Sequence, residues 1–416
     1  MLTAEWFVGV DWAVDAHDVC IVDRDGRIDA RVAVDHTAPA LHAFVEDLLR
    51  RAAGDPSRLA VGIEAPRGAV VELCVERGIP VYAINPKQVD RFRDRFTVAG
   101  AKDDPRDAQV IADGLRTDAR AYRRVVLDHP VVIQLREWSR LDETLREDLG
   151  RLTNQLRDVV YRSMPGVLTL CPAADEPWFW ALVEAAPTPA AQRRLTSRRL
   201  DRLLREHRIR RITATDLHAV LQQPSVFTAP GVVEAVAAHL TVLVPRLTLV
   251  AAQRREAERQ LTRLLDALDA EPAADDQREH SDVAILRSMP GVGVRVAAKV
   301  LAEASQPLVD RAYHVVRTAM GVAPVTKQSG RRHRPVIAMR YACNRHLREA
   351  GYHWARTAAQ HDPATHAYYQ ALRRRGHSHG RSLRSVVDRA LRILMTLLTR
   401  GQLFDAGYQT TALTSA

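Results

Sequence analysis

The chain has 416 residues, 46% of them hydrophobic and 26% charged, with a formal net charge of +10. That length favours two or three domains over one, and the charge points to a polyanionic partner, nucleic acid or an anionic membrane surface. No apolar run approaches the roughly 20 residues of a bilayer span, "MLTAEWFVGVDWA" lacks the basic segment of a signal peptide, and the cysteines (Cys20, Cys74, Cys171, Cys343) lack the CxxC spacing of a zinc knuckle or disulfide framework. The expectation is a cytoplasmic protein that binds nucleic acid and makes no membrane contact.

Residues 1–125 read as alternating strands and helices. "WFVGVDWA", "HDVCIVDR" and, after the Asp25-Gly26 turn, "RIDARVAVD" form a strand meander. A helix through "APALHAFVEDLLRRA" leads to a buried-type strand, "LAVGIEA". Then come a helix through "AVVELCVERG", a strand "IPVYAIN" and helices from Pro86 onward. A meander followed by strand–helix alternation predicts a mixed sheet flanked by helices. This is the order of the ribonuclease-H-like fold, and the actin-like ATPase core begins the same way. An actin-like sugar kinase is a distant reading, because Trp12-Ala13-Val14 stands where its phosphate loop needs Gly and Ser or Thr.

Residues 126–275 are helical. Leu145, Leu149, Leu152, Leu156 and Val159 recur at helical spacing, as do Leu247, Val250, Ala257, Leu261, Leu264 and Leu268, with Arg254 breaking the second stripe. Both stripes suit long helices of the coiled-coil kind, packed as an antiparallel pair or across a dimer. Between them "RRLTSRRLDRLLREHRIRR" is a basic helix, either solvated or in contact with phosphate. "LDALDAEPAADDQREH" reads as a linker, and residues 276–416 as a helical third domain.

Chemistry concentrates at two places. Asp11 ends the first strand and Glu64 ends "LAVGIE"; in a ribonuclease-H-like sheet these strands are neighbours, so both carboxylates leave one edge. In "AKDDPRDA", Asp104 and Asp107 share a face of the first turn of a helix starting near Pro105. Asp103 and Asp107 also share a face, so the third acid is either Asp103 or Asp104. The positive end of the helix dipole offsets the repulsion among these acids. Such hard oxygens suit Mg²⁺ or Mn²⁺, and two ions about 3.5–4 Å apart can clamp the attacking and leaving oxygens of a phosphodiester. A plainer account makes the aspartates a helix cap and its solvated neighbours. Lys102 contacts phosphate or pairs with the acids.

The second place is "SMPGVGVRVAAKVLAE", a helix-hairpin-helix pattern in which Gly291 and Gly293 let backbone N–H groups approach a phosphate, with Ala297 and Leu301 as core behind them. A tight turn within a helical bundle is the other reading. Downstream, Ser329 stands in a loop with Lys327, Arg331, Arg332 and Arg334, residues that suit a nucleic-acid backbone. A serine hydroxyl is a weak nucleophile without a base or metal, and no Ser-His-Asp order accompanies it. His377 and His379 in "RRRGHSHGR" read as basic surface.

The ordered motifs "GVDWA", "VGIEAPRGAVVELCVERGIPVYAINPKQV", "AKDDPRDA", "SMPGVGVRVAAKVLAE", "MGVAP", "QSG" and "NRHLREA" resemble the insertion-sequence transposases related to the pilin-gene invertases, a family that includes the bridge-RNA-guided recombinases. The resemblance implies a RuvC-like N-terminal domain whose DEDD carboxylates are Asp11, Glu64, Asp104 and Asp107. There Asp103 takes the place of a threonine. It implies an all-α C-terminal transposase domain supplying Ser329 as nucleophile, Mg²⁺ at the carboxylates and no nucleotide cofactor. It further implies a homodimer or homotetramer, donor and target DNA duplexes, and a bridge RNA from the element's flank. Two departures stand out: Ala65-Pro66-Arg67-Gly68 replaces the Thr-Gly that often follows the glutamate, and Cys343 replaces the glycine before Asn344. Competing readings are a RuvC-like nuclease or junction resolvase that activates water, and a nucleic-acid-binding remnant without activity.

Overall fold

The computed structural model describes residues 4–64, 66–93, 104–126, 128–224, 228–270, 280–327 and 336–405. The chain divides into two units, Met1–Asp128 and His129–Ala416.

In the first unit, period-two apolar patterning forms a meander of β1 (Trp6–Asp11), β2 (Ala16–Val22) and β3 (Ile28–Asp35). Next come α1 (Ala38–Arg51), β4 (Leu59–Ile63), α2 (Ala69–Glu76), β5 (Val81–Ala83), α3 (Pro86–Arg93), α4 (Asp104–Thr117) and β6 (Arg123–Arg124). The six-stranded sheet has the order β3-β2-β1-β4-β5-β6. Helical crossovers return the chain for the parallel pairs β1–β4 and β4–β5, and the remaining pairs are antiparallel. The strand read at "IPVYAIN" is the short β5, and the two-residue edge strand β6 leaves no periodic signal in the sequence.

Alternation divides the strand residues between two layers. Val8, Val10, Val61 and Ile63 pack with Leu48 of α1 and Val71 of α2. Phe7 and Ala60, on the other face, pack with Ala108, Ile111 and Leu115 of α4. On that face α4 rides close to the sheet. A Cβ at Gly9 would lie 1.9 Å from the Ala108 carbonyl oxygen, and one at Gly62 2.8 Å from Ile111. The sequence therefore places glycine on two neighbouring strands where the helix crosses them.

The second unit is helical. Its longest members, α5 (Pro130–Tyr161) and α10 (Val232–Ala270), are joined through α6 (Pro177–Ala185), α7 (Pro189–Arg193), α8 (Ser197–Glu206) and α9 (Ala214–Leu221). They pair antiparallel within one chain. Leu135 of α5 shares a core with Leu261 and Leu265, whereas Leu156 and Val160 share another with Leu240 and Val244. The basic run becomes α8, with Leu200 and Leu204 buried and Arg198, Arg199, Arg202 and Arg205 exposed.

Two expectations need correction. The stretch read as a linker from Leu265 is still helix as far as Ala270, because Leu265 is fully buried and Leu268 packs beside it. And α10 is long and apolar enough to cross a membrane by length and composition; Glu234, His239 and Arg246 had interrupted its apolar runs. Leu240, Leu243, Val244 and Leu247 of this helix are buried inside the unit.

The remainder comprises α11 (Asp282–Ser288), α12 (Val294–Val309), α13 (Tyr313–Ala319), the β7 (Val325–Lys327)–β8 (Val336–Ala338) pair, α14 (Arg345–His361), α15 (Pro363–Arg374) and α16 (His379–Arg400). Ser281, Asn344, Asp362 and Ser378 accept backbone N–H bonds as N-caps of α11, α14, α15 and α16. Short antiparallel strands, β7 and β8, flank the loop read around Ser329, so this region is mainly helical and not all-α as expected.

Candidate functional site

The register of β1 on β4 pairs Val10 with Ile63. Asp11 and Glu64 each stand one position further, at the same edge. Counting by twos, Asp11 continues the face of Phe7 and Gly9, and Glu64 continues that of Ala60 and Gly62, which is the face covered by α4.

The direction of α4 completes the arrangement. Arg116, near its C-terminus, donates to the Arg24 carbonyl at 3.3 Å, in the turn between β2 and β3. That turn lies at the amino end of β1, since Phe7 pairs with Val22. The helix thus runs antiparallel to β1 and brings its first turn, with Asp104 and Asp107, to the edge where Asp11 and Glu64 emerge.

Asp107 is 4% exposed. Its carboxylate accepts a bidentate pair from Arg93 of α3, Nε to Oδ1 and Nη2 to Oδ2, both at 2.7 Å. Arg93 also donates to Asp90 at 3.1 Å. The hydrogen bonds that Arg93 donates to Asp107 raise the guanidinium's pKa, burial opposes this, and the charges of Asp107, Asp90 and Glu64 raise it further. Arg93 is thus the cation paired with the buried acid, close enough to Glu64 to feel its charge. The sequence reading missed it, because a pair between two helices leaves no periodic trace.

A second missed residue is Asp18. It pairs with Asp11 across the β1–β2 ladder, and directly opposed residues of an antiparallel pair share a face. The hairpin register in "DWAVDAHD" was the available signal. Beside it, buried His17 pins the loop after Asp11: Ala13 N–H donates to His17 Nδ1 at 3.3 Å, and His17 Nε2 meets His36 Nδ1 at 2.8 Å. Burial, then the neighbouring His36, lowers the His17 pKa.

In the second unit, Gly291 has φ +80°, and a Cβ there would lie 2.5 Å from the Ala358 backbone nitrogen and 2.8 Å from the Trp354 carbonyl oxygen. Close packing under α14 therefore accounts for this glycine. Gly293, the N-cap of α12, has open space before it. Ala297 is fully buried and Leu301 packs against the same core. Lys327 ends β7. Ser329, Arg331, Arg332 and Arg334, like Lys102 and Asp103, lie outside the described residues. Asn344 accepts the His346 N–H at 2.9 Å and donates to Glu303 at 2.8 Å, so the cap forms with Cys343 before it. Among the described residues, the ligand atoms that lie within 4.8 Å of one another are those of Cys171, Asp175 and Glu176, and the set does not include Asp11, Glu64 or Asp107. Trp178 and Arg211 already bond to Glu176.

Comparison with known proteins adds the following. Residues 8–165, which hold Asp11, Glu64, Asp104 and Asp107, match a family model for DEDD transposases of the IS110 type. Residues 283–370, which hold Gly291, Gly293 and Ser329, match the model of the transposase IS116/IS110/IS902 family. A putative transposase, y4uE, of Sinorhizobium fredii is 44% identical over 209 residues, 50% of this chain and 58% of that protein's length. The mini-circle putative transposase for IS117 of Streptomyces coelicolor is 30% identical over 411 residues, 96% of this chain and 95% of the relative. An uncharacterised 43.6 kDa protein of insertion element IS110 from the same organism is 31% identical over equal shares.

Proposed function

The chain belongs to the IS110/IS116/IS902 family of transposases, and from that premise we propose that it cuts and rejoins DNA strands with two groups of its own residues. One is a divalent-metal centre formed by Asp11, Glu64, Asp104 and Asp107 on an RNase H-like, RuvC-like first unit. The other is Ser329 as nucleophile.

What supports this reading is that Asp11 and Glu64 follow neighbouring strands at the edge that the first turn of α4 reaches, and that Asp107 on that turn is buried and paired with Arg93. The residues fit a hard cation: every donor is a carboxylate oxygen, the first turn of a helix faces them, and the buried acid already needs a positive charge beside it. Mg²⁺ or Mn²⁺ bound there, as a pair of ions, would polarise the phosphodiester as a Lewis acid.

The chain's residues do the rest. Asp107 would be one of the residues holding the metal, and Arg93, now paired with it, would then be available to a DNA phosphate. Ser329 Oγ bonds to phosphorus as the bond to the 3′ oxygen breaks, giving a 5′-phosphoserine and a free 3′-hydroxyl that takes the serine proton. Attack by another strand's 3′-hydroxyl reverses the step and returns the serine. The phosphodiester's energy is kept, so no ATP is required, and the sequence has no Walker P-loop. Gly293, Lys102, Lys327, Arg331, Arg332 and Arg334 would hold phosphates of the donor and target duplexes. A bridge RNA would select those sites in the bacterial cytoplasm by base pairing. In a homodimer or homotetramer, the carboxylates of one subunit would serve the serine of another.

The test places the gene with its native flanks on a plasmid in a bacterial host and amplifies across the recombined junction. Wild type yields the junction, while Asp11→Ala and Ser329→Ala both lose it and remain soluble and DNA-bound. If only Asp11→Ala loses it, the covalent serine step is wrong and a water-using RuvC-like nuclease takes its place.

A further inference from the structure

Away from the carboxylate centre, the second unit contains a cavity of about 290 Å³ between α14, α16 and the chain following α13 and β8. This is near the lower end of ligand pockets, which begin at about 300 Å³. Its walls are apolar, from Met320, Val322, Leu383 and Val387. Its lining also includes Arg345, Arg348 and Arg384, together with Tyr352, a residue 42% exposed.

The charges along this lining are unbalanced. Arg348 donates to the carbonyls of Arg340 and Tyr341 at 2.8 and 2.9 Å, and Arg384 donates to the Met339 sulfur at 3.2 Å. Among the described residues, no carboxylate pairs with Arg345, Arg348 or Arg384. Glu349 borders the cavity, but its charge is met by Lys299 at 3.1 Å and by Arg146. Burial, then the charges of Arg381 and Arg348, lowers the Arg384 pKa, so the cluster repels itself. Packing alone gives no reason to gather guanidiniums around an apolar hole.

An occupant must therefore join a flat apolar body to an anion. We propose that this cavity receives one unstacked nucleotide of a single-stranded nucleic acid, with the base between the apolar walls and Tyr352, and its phosphates on Arg345 and Arg384. Extruded bases are held in snug pockets of this kind, and aromatic stacking at such sites contributes about 1–3 kcal/mol per base. The phosphate contacts tolerate any sequence.

The test uses the full-length protein and a short single-stranded oligonucleotide carrying one 2-aminopurine, made once as DNA and once as RNA. Base emission reports unstacking, and the anisotropy of an end-labelled copy reports total binding. Wild type gives a saturable change in 2-aminopurine emission. Gly380→Leu keeps every charge and sits in a helix, its Cβ in ordinary contact at 3.6 Å from Arg384 Nη1, so it closes the cavity without breaking the fold. In that variant the emission change disappears at saturating protein, and anisotropy affinity falls about fivefold or more as the stacking is lost. Arg384→Ala weakens binding about fivefold and lowers the salt slope by about one. A response with DNA alone assigns the nucleotide to the DNA, one with RNA alone to the RNA, and both support the pocket. Unchanged emission on binding to wild type, or an equal change in Gly380→Leu, overturns the proposal.

Discussion

Arg93 and Asp107 pose the sharpest question at the scale of single residues. A carboxylate this buried is costly without a positive neighbour. Arg93→Ala removes the only cation bonded to it in the described structure. The variant should lose about 1–3 kcal/mol in metal-free buffer, and Mg²⁺ should restore more of that loss than it adds to wild type. Thermal melts with and without Mg²⁺ measure both quantities. An equal Mg²⁺ effect in the two proteins would make Arg93 and Asp107 a structural pair only. Gly9 is a second such point. Gly9→Ala puts a methyl into the Ala108 carbonyl, so it should cost about 1–3 kcal/mol or more in a urea titration. Recombination should fall with it, because α4 carries Asp107. The strand-end acids could be read from the sequence, since strand alternation and helix spacing depend only on local order. Arg93 could not, and Asp18 required the hairpin register as well as the strands.

At the scale of elements, α16 is tied to α13 through Asp388. This carboxylate accepts from Tyr313 at 2.6 Å, Arg317 at 2.8 Å and Arg392 at 3.2 Å. Burial alone would raise its pKa, but the bonds from Arg317 and Tyr313 outweigh that and hold it below the usual carboxylate value. A depressed pKa means the stabilisation is present above the unfolded value, about 3.9, and is lost as pH falls through the folded one. Asp388→Asn should therefore be less stable at pH 7 by about 1–3 kcal/mol, and the gap should shrink below about pH 4. Chemical denaturation at a series of pH values checks the sign; a gap that widens in acid contradicts it. The leucine stripes made α5 and α10 legible in sequence, because they repeat for many turns. Arg254 had looked like a flaw in the second stripe. It turns inward to buried Asp142 at 3.3 Å, and Arg295 meets the same carboxylate at 3.1 Å. Patterning shows which face is apolar, but a charge pair between helices cannot be read from either helix alone. The same limit hid the end of α10, where the acidic residues of "LDALDAEPAADD" masked the buried Leu265 and the packed Leu268.

At the scale of the whole molecule, the net charge of +10 should appear as a steep salt dependence of DNA binding, with a slope of about −0.9 for each phosphate neutralised. Anisotropy of a labelled duplex over a salt series gives that slope, and a slope near zero would separate the charge from nucleic acid. The mixed sheet and the helical remainder were both legible, since they follow from alternation and stripes that any chain of this pattern must bury. The joining of one edge of the sheet to the first turn of α4 was legible only through the shared motif order, and its geometry rests on Gly9, Gly62 and the direction of α4. The account stands or falls on whether that edge holds metal. The deciding measurement is a Mn²⁺ titration followed by electron paramagnetic resonance, on wild type, Glu64→Gln and Asp107→Asn. The account predicts saturable uptake by wild type and at least about a tenfold weaker affinity, roughly 1.4 kcal/mol, in each variant. Mn²⁺ binding by Asp107→Asn as tight as by wild type, or no uptake by wild type, would contradict it.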